Sequence, residues 1–140
     1  MTADRARLTR LHRLERIRAV ARDQAARDVA EAEGTLAQLE ALAMRTRSMA
    51  EDYRDATPGD GFALQLVRHF VGGLGGITAA TGYEAQQARN LADRMQAALS
   101  IAERRRAAVE DRALAERRNQ ARRSQAQALG ARRTIGTELE

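Results

Sequence analysis

The sequence predicts an all-α chain, a long two-helix antiparallel coiled-coil hairpin. Three observations carry this. The chain has one proline in 140 residues, and proline stops a helix interior. Of its 61 apolar residues 30 are alanine and only 4 are aromatic, which suits a thin seam between helices better than a thick globular core. Apolar residues recur at steps of three and four through two long segments, separated by a single cluster of turn-forming residues.

The first helix is expected from about residue 4 to 55. Leu8, Leu11, Leu14 and Ile17 open its stripe. Ala21, Ala25, Val29, Ala32, Leu36, Leu39, Leu42, Met49 and Tyr53 continue it. Leu14, Ala25 and Leu36 are eleven apart, as are Ala21 and Ala32. A repeat of that length matches a nearly straight helix. Gly34 is a tolerable interruption.

A turn is expected at about 56–61, where Pro58, Gly59 and Gly61 fall within four residues, and Thr57 or Asp60 can cap the second helix. That helix is expected from about 62 to 130. Leu66, Phe70, Leu74, Ile77, Thr81, Ala88, Leu91, Met95, Ala98, Ala102 and Val109 mark its stripe. Beyond Leu129 the pattern fades through Gly130 and Gly136, which predicts a frayed tail to 140. The whole chain, 1–140, then forms one hairpin. Two long helices joined by a short turn run antiparallel, and a turn centred near residue 59 pairs residues whose numbers sum to about 118. That sets Met49 opposite His69 and Phe70, and Leu14 opposite Arg104.

Gly72, Gly73, Gly75 and Gly76 interrupt the second helix, at about 1 kcal/mol each relative to alanine. A close helix contact or a locally soft helix would account for them. A phosphate-binding loop is the alternative, but it needs a Lys-Ser/Thr ending and a preceding strand, and neither is present.

All 24 basic residues are arginine. Residues 104–133 hold ten arginines against Glu110, Asp111 and Glu116, a net of +7. The rest holds 14 arginines against 16 acids, a net of −2. Positive charge is therefore concentrated at one end of the chain, and Arg5, Arg7, Arg10 and Arg13 are expected beside it. The charged opening segment and the lack of any apolar run near 18 residues predict a cytoplasmic protein with no membrane insertion.

The sequence offers no catalytic, cofactor or metal constellation. It has no cysteine. His12 and His69 are separated by nearly a full helix arm, and the acids read as surface pairs with nearby arginines. A two-helix rod also lacks a concave apolar pocket. The expectation is a protein without enzymatic activity or a small-molecule substrate, which acts by binding other proteins.

The bulky apolar residues near the turn, Leu42, Met49, Tyr53, Phe70, Leu74 and Ile77, outnumber what a two-helix seam hides. Part of the group is expected to form an exposed protein-binding patch, with Tyr53 and Phe70 partly solvent-accessible.

The opening Leu8-Thr-Arg-Leu-His-Arg-Leu-Glu-Arg-Ile-Arg18, the Leu36, Leu39, Leu42 stripe, Asp52-Tyr53-Arg54 before the turn, Arg68-His-Phe70 with Leu74 and Ile77 after it, and Ala98 to Arg106 together resemble the FliJ family of flagellar export proteins and its type III secretion stalk counterparts. The likeness covers nearly the whole chain. The glycine cluster departs from the family pattern.

The resemblance implies a non-enzymatic stalk and chaperone-like component of the export ATPase complex, cytoplasmic and peripheral at the membrane export apparatus. Its implied partners are the hexameric export ATPase, the cytoplasmic domain of the export gate, and export chaperones. On that reading Arg5, Arg7, Arg10, Arg13, Arg104, Arg105, Arg106, Arg112, Arg117 and Arg118 meet the ATPase ring. The patch near the turn meets the gate. The alternatives are a generic coiled-coil scaffold or a homodimer through the same stripe, and a nucleic-acid-binding protein that uses the arginine-rich C-terminal helix. The last is weakened because no aromatic residue is interleaved with those arginines for base stacking.

Overall fold

The computed structural model describes residues 2–55 and 59–137, with side chains described up to 133. It contains two long helices that pack against each other, α1 (Thr2–Asp55) and α2 (Gly61–Thr137), and no strand among the described residues. The fold is the all-α helical hairpin that the sequence predicts.

Asp60 starts α2. Its Oδ1 accepts a hydrogen bond from the Ala63 backbone N–H at 2.6 Å, and its carbonyl accepts one from Leu64 N–H at 3.1 Å. This is an N-cap that satisfies donors with no partner inside the helix. Thr57, the other expected cap, and the turn residues 56–58 lie outside the described residues, as do 138–140 of the expected tail. Replacing Asp60 with alanine is expected to cost about 1 kcal/mol, read as a lowered thermal midpoint in circular dichroism.

The expected end of the second helix at 130 is corrected. α2 continues through Gly130 to Thr137. One glycine costs a helix about 1 kcal/mol but does not stop it, and Ala131, Arg132 and Arg133 are good helix formers.

The chain divides into two compact units. Unit 1 holds residues 1–24 and 100–140, and unit 2 holds 25–99. In unit 2 the residues of α1 that turn inward are 25, 29, 32, 36, 39, 43, 46 and 50. Those of α2 are 67, 71, 74, 78, 81, 85, 88, 92, 95 and 99. In unit 1 they are 4, 8, 11, 15, 18 and 22, facing 102, 106, 109, 113, 116 and 120.

The steps between these positions alternate between four and three. Of the other half-buried residues, 12, 14, 19, 26, 28 and 100 adjoin them, and 63 lies four residues before 67. The alternation is a heptad of period 3.5, the period of a left-handed coiled coil, so the expected eleven-residue repeat is corrected. The phase also moves by one residue at several places. Ala43, Thr46 and Ala50 are buried where Leu42, Met49 and Tyr53 were expected, and Arg18 and Arg22 are half-buried where Ile17 and Ala21 are exposed, while Leu14 is half-buried as expected. Ile17 is 62% exposed. A helix pair holds one phase along its contact. A residue one step out of phase lies about 100° round the helix, whatever its hydrophobicity.

The pairing sum of about 118 is corrected as well. His12 meets Arg117 and Glu40 meets Arg89, both summing to 129, and Tyr53 meets Phe70, summing to 123. Side chains lean toward the N-terminus of their own helix. In an antiparallel pair both leans raise the sum, most on the flank that follows the seam.

The seam is built from small residues. Among the described residues ten apolar ones are buried; seven are alanine, and Val29, Leu74 and Val109 are the larger three. Thr46, buried among them, donates its hydroxyl to the Leu42 carbonyl at 2.9 Å, so its polar atom is not left unsatisfied. In unit 1 the seam is partly ionic. Glu116 is 8% exposed and lies 3.8 Å from the Arg7 Nε. Gln120 Nε2 donates to the Asp4 carbonyl at 2.9 Å. The Nε of Arg18 is buried without a hydrogen-bond partner. Leaving such a donor unpaired costs roughly 1–3 kcal/mol. Arg18→Leu is therefore expected to raise stability by about 1–2 kcal/mol, measured by urea denaturation. An equal or greater loss would show that the guanidinium is paired in solution.

Candidate functional site

The ten arginines expected to meet a partner all fall in unit 1. Nine are exposed. Arg106 is the exception. It is half-buried at a seam position and donates through Nε to Glu110 at 2.9 Å, so its first role is structural. Arg7 reaches Glu116, and Arg117 reaches His12 Nδ1 at 3.3 Å and Glu15 at 3.9 Å. His12 Nδ1 also lies 3.1 Å from Glu15. Arg104 donates to the Ser100 hydroxyl. Arg5, Arg10, Arg13, Arg105, Arg112 and Arg118 have no carboxylate partner among the described residues.

Both helices contribute to an open groove of about 510 Å³. It is lined by the polar side chains of Arg7, Arg10, Arg112, Glu116 and Asn119 and by the apolar Leu11, Leu14 and Ala115. Unit 1 carries seventeen arginines against nine acids, a net of +8. Unit 2 carries seven against ten, a net of −3. Arg22 and Arg123, which the sequence does not single out, tie the helices of unit 1 together through Glu103 at 3.6 Å and Asp4 at 3.3 Å.

The second expected surface lies in unit 2. Leu42, Met49, Tyr53, Phe70 and Ile77 are 40 to 51% exposed. Leu74 is corrected: at 7% exposure it is a seam residue and cannot offer a contact. Tyr53 and Phe70 are partly accessible, as expected, and pack edge to face with ring centroids 4.7 Å apart.

Four of these residues share a position. Leu42, Met49, Phe70 and Ile77 each directly precede a seam residue of the same heptad kind, which collects them on one flank of unit 2. Leu91 holds the same position and is 41% exposed. The apolar stripe of the sequence places it in the seam instead, and the heptad phase is the signal that separates the two. The other flank carries charge, as in the Arg89–Glu40 pair at 2.8 Å.

The glycine cluster is helical throughout. A Cβ added at Gly72, Gly73, Gly75 or Gly76 would meet nothing within 4 Å. The expectation of a close helix contact within the chain is corrected, and the segment is not the phosphate-binding loop that the sequence already argues against.

Among the described residues no group of three or more His, Asp or Glu is placed to hold a metal ion, and no helix is long and apolar enough to cross a membrane. No protein-family model, curated protein or solved structure matches the chain.

Proposed function

We propose that the protein is a non-enzymatic hairpin that works by binding other proteins, as the stalk and chaperone-like component of a flagellar or type III export ATPase complex. The observation that carries this reading is the net +8 of unit 1, with arginines from both helices around one groove. Such a surface attracts an acidic partner and speeds its association, increasingly so at low salt. The acidic lumen of a hexameric ATPase is the partner that the family likeness supplies. The apolar flank of unit 2 would then serve the cytoplasmic domain of the export gate, or an emptied export chaperone, with the complex peripheral at the membrane.

The surface balance supports a binding role. Among the described residues sixteen large apolar ones are exposed, eleven of them in unit 2, against three that are buried. Apolar side chains that gather on one exposed flank are a common mark of an interaction site.

The test is stimulation of ATP hydrolysis by the purified cognate export ATPase. Reversing Arg104, Arg105 and Arg112 to glutamate, which leaves the seam residue Arg106 in place, should reduce stimulation at least about tenfold at low salt. Tyr53→Ala with Phe70→Ala should retain helicity and stimulation but lose binding to the gate domain. Undiminished stimulation by the arginine variant at low salt contradicts the assignment.

A further inference from the structure

The two units are complementary in more than net charge. All four aromatic residues, Tyr53, Phe62, Phe70 and Tyr83, lie in unit 2 and are exposed, Phe62 and Tyr83 by about 70%. Seventeen of the 24 arginines lie in unit 1. A guanidinium stacks on an aromatic face, and its aliphatic stem covers apolar surface while its charge stays in water. The exposed acids Asp52 and Glu84 adjoin Tyr53 and Tyr83 along the chain, and the exposed Glu31 shares a groove with Leu91 and Met95. Unit 1 in turn exposes Ile17 and Ile101 among its arginines.

We propose that unit 2 of one copy of this chain docks on unit 1 of a second copy. Exposed apolar residues supply the area, and charge selects the pairing. Unit 1 against unit 1 sets +8 on +8, and unit 2 against unit 2 sets −3 on −3. Only the mixed pairing joins opposite signs. It is also the one that brings arginines to aromatic faces. This inference goes beyond the export reading and does not depend on it, because it uses no partner other than the chain itself. It does give that reading a consequence: a docked copy occupies the arginines that would meet an acidic ring.

The chain has no cysteine, so single dye labels can be placed cleanly. The full-length protein is labelled at Arg16→Cys in one preparation and at Glu84→Cys in another. Both positions are exposed and outside the seam. Energy transfer between copies is measured for the 16/84, 84/84 and 16/16 mixtures. The expected result is transfer highest in the 16/84 mixture, falling roughly tenfold in apparent association between about 50 and 500 mM salt.

Phe62→Ala with Tyr83→Ala should weaken the 16/84 signal at least about threefold. Arg16→Glu with Arg122→Glu, read with labels at Ile17→Cys and Glu84→Cys, should do the same. Circular dichroism should be unchanged for both. Stronger transfer in the 84/84 mixture, association that strengthens with salt, or no transfer in any mixture at low salt would each overturn the proposal.

Discussion

Replacing Gly72, Gly73, Gly75 and Gly76 together with alanine raises the stability of unit 2 by about 3–4 kcal/mol. Each glycine in a helix interior is about 0.8–1 kcal/mol less favourable than alanine, because it loses more backbone freedom on folding and covers less of the backbone. The gain is realised only if the added methyl has room and the backbone needs no glycine. Both conditions hold: no glycine in the described chain has a positive φ, and the added Cβ atoms meet nothing within 4 Å. For a unit of 75 residues the change corresponds to a rise of about 15 °C in thermal midpoint, read at 222 nm in a thermal melt. A midpoint that stays level or falls would mean that something approaches this face closely in solution.

Leu74 sits in the middle of the same segment and gives the second large effect. It is the one buried leucine among the described residues. Truncating a buried leucine to alanine costs about 2–5 kcal/mol, depending on how far the site collapses. Two helices can close on a gap more readily than a layered core, so about 2–3 kcal/mol is expected for Leu74→Ala. Ile77→Ala, three residues on and 51% exposed, should cost under about 1 kcal/mol. The contrast separates seam from surface within one turn of helix. Equal losses at the two positions would contradict the heptad phase. Because Leu74 is structural, loss of partner binding in its alanine variant is no evidence of a contact.

The helices are legible in the sequence. Long alternating steps of three and four have few interpretations, and Pro58 followed by Gly59 and Gly61 marks one break between them. The phase is less legible, and alanine is the reason. With 30 alanines in the chain, methyl groups occur on every face, and the eye follows the larger residues. Leu42, Met49, Phe70 and Ile77 are larger than Ala43, Ala50 and Val71, yet the narrower side chains hold the seam and the wider ones flank it. The charged seam of unit 1 hides the phase differently. Glu15, Arg18 and Arg22 occupy inward positions, where Ile17 looks better suited. Long side chains can fill such places by laying their stems along the seam and turning their ends out.

The candidate surfaces are partly legible for related reasons. Polarised charge is a property of composition along the chain, so nine of the ten arginines fall on the surface as expected. Arg106 does not, because only the phase distinguishes it from Arg104 and Arg105. The glycine cluster suggests a contact because glycines in a helix ordinarily need a reason. The fold itself supplies none.

Seam, flank and groove all depend on two helices of one chain packed antiparallel in a single heptad phase. Pulsed electron spin resonance between paired labels tests this directly. In that phase Glu33 and Gln96 occupy facing positions of unit 2, and Arg5 and Ser124 occupy facing positions of unit 1, each pair with the same numerical sum as Glu40 and Arg89. Cysteine at both members of a pair gives a clean label site. With helix axes about 8–10 Å apart, each pair should give a narrow distribution centred near roughly 20 Å, unchanged when labelled protein is diluted into an excess of unlabelled protein. A broad or long distribution in either pair, or a short one that disappears on dilution, would contradict the hairpin.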